Sequence, residues 1–330
     1  MLVSAFPGFA DAARYEATEA RDRAPQFSAT ASAGVVLLHR RRSTPGSSAL
    51  AKMKTHGRHG LRTLGVDLAW ADAATANETG VVAAESDGTI VAAGWTTGVE
   101  ETVAWANTHA TDAAVLFVDA PLVVLNADKQ RLCEKQVGQR YGRWKVSANS
   151  TNLASPRLAG VRFKRELEAA GWIYADGIAG PPRNGRVVSE CYPYTTIVGA
   201  DELGYESERP RYKRKPRCLS AAAWRPVRAG ACDVLIQRIA DLRNASPPLD
   251  LRSHSVTAQL LDEQSPLDDR AYKHREDLID ACLAAWTAAL WIQCGAYRCQ
   301  VLGEHDVFVD DRGQRATIIA PARTLQRPNV

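Results

Sequence analysis

This chain of 330 residues has no uninterrupted apolar run near the ~18 residues that a membrane span requires. The longest candidate, Ala281 to Cys294, is too short and reads as a core helix, so no membrane partner is expected. There is no C-x-x-C motif. The seven cysteines (133, 191, 218, 232, 282, 294 and 299) are odd in number and irregular in spacing, which argues against a disulfide framework or a zinc ribbon. Cys294 and Cys299 have His305 nearby, but free thiols in a reducing cytoplasm explain them better than a metal site. No internal repeat is visible. Net charge is also lacking where a fold is expected. Residues 1–60 hold nine Lys/Arg and four Asp/Glu of the chain's 41 and 37, which leaves 32 and 33 beyond them. The basicity is N-terminal, and bulk charge does not make the remainder a nucleic-acid binder.

Residues 1–60 show no sustained hydrophobic period. The short run Val35–Leu38 precedes Arg40-Arg41-Arg42, the reverse of a signal peptide's order. A disordered extension is expected there. Met53 stands just before the first strong strand, which suggests that translation starts at that residue; peptides from residues 1–52 in the native protein would overturn this.

From residue 61 the pattern sharpens into one α/β domain, 61–330. LRTLGVDLAW reads as a buried strand ending in an acid. TGVVAAES and TIVAAGWTT flank Asp87-Gly88, a strong hairpin signal. VEETVAWANTHA has helical spacing, and AAVLFVDAPL is a continuous apolar strand suited to a sheet covered on both faces. A polar region, 126–186, includes one helix, VRFKRELEAAGW, and GRVVSECYPY follows as a strand. Helices are expected around 219–245 and at 274–294. The end, HDVFVDDRGQRATIIAPA, suggests a hairpin around Asp311-Arg312-Gly313.

The stretch HREDLIDACLAAW, His274 to Trp286, places Asp277 and Asp280 three apart at the front of an apolar run. Asp67, Asp119 and Glu190 each end a strand. Functional groups gather beyond strand ends in open α/β sheets, and helix positions i and i+3 share a face. Carboxylates brought together repel, so either their pKa values rise or a cation joins them. Mg²⁺ or Mn²⁺ suits such an oxygen site, and two ions ~4 Å apart can align the attacking and leaving oxygens of a phosphodiester. Each acid also has a plainer reading. Asp277 or Asp280 alone fits a helix cap or first-turn charge, Asp119 before Ala-Pro a turn, and Glu190 a solvated strand end. Asp67 is hardest to dismiss, because it lies inside an apolar run where an unpaired charge is costly.

These residues resemble a known family. GVDLAW, FVDAPL, VVSECYPY and HREDLIDACLAAWTA, in that order, are similar to an uncharacterised DUF429-type family described as predicted RNase H-like nucleases. RLCEKQVGQRYG, 131–142, resembles its Arg-x-Cys-acid segment, and YKRK its basic stretch. The resemblance covers about residues 61–325. Asp277 to Ala281 is also similar to the last catalytic helix of RuvC-type resolvases. The resemblance implies a ribonuclease H-like fold: a mixed five-stranded sheet, first three strands antiparallel, flanked by helices, with insertions near 126–186 and 200–270. It also implies Asp67, Asp119, Asp277 and Asp280 as metal ligands, with Glu190 a further candidate catalytic residue.

The leading expectation is therefore a Mg²⁺- or Mn²⁺-dependent nuclease of DNA or RNA that works by a two-metal-ion mechanism. RPRYKRKPR, 209–217, gives Lys213, Arg214 and Lys215 as candidate phosphate contacts, with a solvated loop as an equal alternative. Trp286 and Trp291 read as core. His274 reads as a helix N-terminal residue or a proton-transfer aid. Two other functions compete. An actin- or sugar-kinase-type phosphotransferase needs phosphate-cradling hairpins, but Leu-Ala-Trp follows Asp67 and Ala-Pro-Leu follows Asp119. A non-catalytic binding module would keep the sheet without needing the acids.

Overall fold

A run of apolar residues in which every second one faces the same way builds the centre of this molecule. The computed structural model describes residues 60–70 and 78–327. The expectations of a disordered extension and of a start at Met53 lie outside the described residues. The first strand is β1 (Leu61–Asp67), followed by β2 (Glu78–Ala84) and β3 (Ile90–Thr97). These pair antiparallel in succession, with the Asp87-Gly88 turn between the last two. Gly88 takes a positive φ of 87°, and the Asp87 carboxylate accepts the Thr89 N–H at 2.9 Å. After α1 (Gly98–His109), β4 (Ala113–Val118) returns parallel to β1.

The next segment carries α2 (Leu132–Tyr141), α3 (Ala159–Ala169) and β5 (Ile173–Tyr174), and leads into β6 (Arg186–Glu190). The strand order is β3-β2-β1-β4-β6-β5, a six-stranded mixed sheet flanked by helices. This is one strand more than expected. The addition, β5, has two residues and pairs parallel with β6 at the margin. Beyond β6 come α4 (Pro193–Gly199), α5 (Ala221–Ala240), α6 (Ser255–Asp262) and α7 (Asp269–Cys294), then a separate antiparallel pair, β7 (Cys299–Leu302) and β8 (Ile318–Pro321).

The expected terminal hairpin is different from what the chain forms. A turn does close at Asp310–Gly313, but Val307, Phe308 and Val309 are exposed and form no strand. Asp306 and Asp310 side chains accept the N–H groups of Phe308, Arg312 and Gln314, so local bonds satisfy this backbone instead of a ladder.

Helix α7 begins five residues before His274. By length and composition alone, the segment Asp269–Tyr297 is long and apolar enough to cross a membrane, yet 78% of its most apolar window is buried inside the protein. It lies against β1, β2 and β4 as the core helix of one face, with Trp286 and Trp291 buried in that layer. The opposite face is covered by α1 and α3.

Two glycines set how close α7 comes. A Cβ on Gly65 would lie 2.0 Å from the Ala281 carbonyl oxygen, and one on Gly80 2.3 Å from that of Asp277. Strand backbone and helix backbone therefore touch, which only glycine permits. Gly65→Ala must push the helix away. The expected cost is about 2 kcal/mol in guanidinium unfolding; a change below about 0.5 kcal/mol would show that the helix yields freely.

Candidate metal centre

The contact between α7 and the sheet brings two distant parts of the chain together. Asp67 closes β1. Asp119 directly follows β4, and its N–H donates to Val66 O at 2.9 Å, extending the parallel ladder by one step. Both side chains lie in the row that faces α7. Asp280 meets them from the helix: Asp67, Asp119 and Asp280 each offer an oxygen within 4.8 Å of the others, and all three are buried. Asp67 Oδ2 is buried without any hydrogen-bond partner. Asp277, one helical turn before Asp280, is buried beside them.

The cap reading for the two helical aspartates does not survive. Asp268 caps α7, accepting the N–H groups of Arg270 and Ala271 at 3.0 and 2.9 Å. Asp277 and Asp280 lie well inside the helix, beyond the first turn where its dipole acts.

Burial dominates the electrostatics. It pushes Asp67 well above the carboxylate range, with Lys213 opposing and Asp277 and Asp280 adding to the rise. Asp119 is raised well above that range by burial and then by Asp67. Asp280 is raised by burial against the pull of Lys213. Asp277 is raised to about 6, burial again leading and Lys273 opposing. Two lysines answer the acids. Lys213 forms an ion pair with Asp280, and Lys273 pairs with Glu276 at 3.0 Å and with Asp277. Burial would lower Lys213, but Asp280, Asp67 and Glu276 outweigh it and hold the ammonium charged. Tyr212 donates its hydroxyl to Asp280 Oδ1 at 2.7 Å.

A pH dependence follows from Asp277. Its folded value, near 6, lies above the ordinary 3.8, so the fold favours the neutral acid. The stability this contributes is fully present below the ordinary value and is lost as pH rises through about 6, on the order of 3 kcal/mol. Metal-free protein in EDTA is expected to melt lower at pH 7 than at pH 5, and Asp277→Asn to flatten that slope. An unchanged slope in Asp277→Asn would remove the residue from the effect.

Glu190 is not brought into the cluster. In the sheet register Val118 pairs with Glu190, and Cys191 donates its N–H to Val118 O. Strand side chains alternate, so Cys191 shares the row of Asp67 and Asp119 while Glu190 points to the other face. There, Arg131 grips both Glu190 oxygens at 2.6 and 2.9 Å, and Leu122 donates its N–H at 3.0 Å. The same guanidinium donates to Glu134 at 2.9 Å and to Val123 O at 3.1 Å. All three charged side chains are buried. The expected Arg-x-Cys-acid segment is thus a structural clamp beside the cavity.

The basic loop also divides. Lys213 sits in the acid cluster with a side chain 18% exposed, not on the surface. Arg214 is exposed, donates to Asn149 Oδ1 at 2.7 Å and lines the cavity. Lys215 is exposed and donates to Leu219 O at 2.8 Å. His274 pairs with Glu78 and its ring lies 5.3 Å from that of Trp95, apart from the cluster. Neither the buried ion pair of Lys213 nor the clamp of Arg131 was evident from sequence. For Lys273, the i,i+4 spacing to Asp277 was a usable signal.

A cavity of about 250 Å³ opens onto these groups, lined by Asp67, Asp119, Asp277, Lys213, Arg214 and Trp70 among others. All seven cysteines are free, and Cys191 is the one lining it. A hard divalent cation fits this donor set: carboxylate oxygens only, converging, buried, one of them unpartnered.

Residues 65–305 match the family described as "Protein of unknown function (DUF429)". The chain belongs to the DUF429 family. All five acids and the Tyr212-Lys213 pair fall within the matched region of this DUF429 protein. No curated protein and no solved structure matches the chain.

Proposed function

We propose that this DUF429 protein is a Mg²⁺- or Mn²⁺-dependent phosphodiesterase acting on DNA or RNA. One observation carries the reading: the buried, unpartnered Asp67 Oδ2 in a group of three converging carboxylates. A carboxylate oxygen left bare in a buried site costs free energy that a cation recovers. The strand arrangement supports it. Three antiparallel strands followed by two parallel to the first, in the order β3-β2-β1-β4-β6, agree with the ribonuclease H-like sheet that the sequence resembles.

The divalent ion supplies Lewis acidity towards a phosphoryl oxygen and towards water. The chain's own groups do the rest. Asp67 and Asp119 hold the cation from the sheet. Asp280 presents its carboxylate from α7, oriented by the Tyr212 hydroxyl. Arg214, exposed on the cavity wall, is placed to receive a phosphate of the incoming strand.

The test is a calorimetric titration of the full chain with Mn²⁺, followed by incubation with single- and double-stranded DNA and RNA in the same buffer. Saturable binding together with cleavage of at least one substrate is expected. No Mn²⁺ uptake and no cleavage of any of them would overturn the reading.

A further inference from the structure

Lys213 is not an ordinary loop lysine. Tyr212, fully buried, is pinned at both ends: its hydroxyl donates to Asp280 at 2.7 Å, and its carbonyl accepts the Tyr272 hydroxyl of α7 at 2.6 Å. The next side chain is thereby aimed into the acid cluster. The Lys213 ammonium pairs with Asp280, lies 4.0 Å from Glu276, and stands 5.7 and 5.6 Å from the ring centroids of Tyr194 and Tyr212. Those two rings meet edge to face at 5.4 Å, which limits its freedom further. The cation is built into the site.

We propose that Lys213 serves as the second cation of the centre, holding by its ammonium the position that a second divalent ion takes in a two-ion phosphodiesterase. The proposal rests on the metal-dependent reading above and revises the expectation of two ions. Charge supports it. Asp67, Asp119, Glu276, Asp277 and Asp280 bring five negative charges, and Lys213 and Lys273 return two. One divalent ion offsets most of the remaining deficit of three; a second would leave the substrate-free site with an excess of positive charge in a buried place.

Geometry supports it as well. Asp280 has both oxygens engaged, by Tyr212 and by Lys213, so it can share with one ion but not hold two. Asp277 has its Oδ1 paired with Lys273. Of the two buried cluster oxygens without a hydrogen bond, Asp67 Oδ2 and Asp280 Oδ2, the second carries the Lys213 ion pair and the first is left for a metal ion. An ammonium has three donors and no acceptor. Lys213 also lines the cavity, so the donors not used by Asp280 face a phosphoryl oxygen placed there. Lysine cannot exchange ligands or acidify water as a metal does, so its part is charge and hydrogen bonding to phosphate.

The stoichiometry decides. The full chain is titrated with Mn²⁺ by calorimetry, and bound manganese per chain is counted by elemental analysis after desalting. Wild type is expected to take one equivalent. Lys213→Met, checked for folding by its melting curve, is expected to take two; Lys213→Arg, which keeps the charge, stays at one. Two equivalents in wild type overturn the proposal and leave the metal-dependent reading intact, and this arm needs no variant. A folded Lys213→Met that stops at one equivalent also overturns it. No uptake by wild type overturns the proposal, and together with no cleavage of any nucleic acid it overturns the metal-dependent reading as well.

Discussion

Asp67→Asn is expected to bind Mn²⁺ at least about 100-fold more weakly than wild type and to cleave nucleic acid about 10³-fold more slowly. It is also expected to stay folded, with a melting temperature in EDTA equal to wild type or higher. The combination is diagnostic. Asp67 is one of the three converging carboxylates, and one of its own oxygens has no hydrogen-bond partner. Asparagine has the same shape but removes the negative charge that attracts a cation. Burial pushes the Asp67 carboxyl well above its ordinary range, so its ionised form at neutral pH costs stability that the amide does not. A residue kept for packing would show the reverse pattern, with stability lost and metal binding unchanged. Calorimetry beside thermal melts separates the two, and wild-type affinity in a folded Asp67→Asn protein would sink the metal assignment of this residue.

The second large effect is on stability. Arg131→Met is expected to cost about 3–5 kcal/mol, read by urea unfolding at pH 7. The guanidinium holds both oxygens of Glu190 and one of Glu134, and all three side chains are buried. Removing it leaves two buried carboxylates with only backbone N–H groups, of Leu122 for Glu190 and of residue 131 and Thr151 for Glu134, and no countercharge. Burial already raises Glu190, and Arg131 is the leading influence that holds it down. Arg131→Lys is expected to fall between wild type and Met, because one ammonium cannot grip three oxygens in the fork geometry of a guanidinium. A loss below about 1 kcal/mol would mean that the two glutamates find other partners.

Much of the sheet could be read in advance because its strands carry unbroken apolar runs closed by acids or by Asp-Gly. GVD, FVD and the Asp87-Gly88 turn each fixed a strand end, and Asp67 stood out because it sits in an apolar run. The placement of Glu190 could not be read from its position at a strand end alone. Its parity decides: one residue along, Cys191 shares the row of Asp67 and Asp119 and Glu190 faces away. Parity depends on register, and a short strand such as VVSE does not declare its register in sequence. The start of α7 was missed for a different reason. Asp269 to Lys273 are mostly polar, so the apolar run marks only the buried part of a longer helix. From RPRYKRKPR alone, Lys213 is a phosphate contact or a solvated loop charge, and nothing in the stretch points it at the acids. Only the anchoring of Tyr212 beneath α7 turns that lysine inward. The short strand β5 gave no period at all to detect.

That short strand has a consequence for how the molecule behaves among its own copies. A sheet margin invites another chain to add a strand, and long bare margins seed aggregation. Here the outer strand offers two residues. The Tyr174 carbonyl is already taken by the Gln314 side-chain amide at 2.6 Å, and the Asp176 carbonyl just beyond by the Thr317 hydroxyl at 2.8 Å. An incoming strand would meet occupied acceptors. On this side the segment before β8 seals the sheet, so side-by-side growth into a filament is blocked at that margin by two side chains.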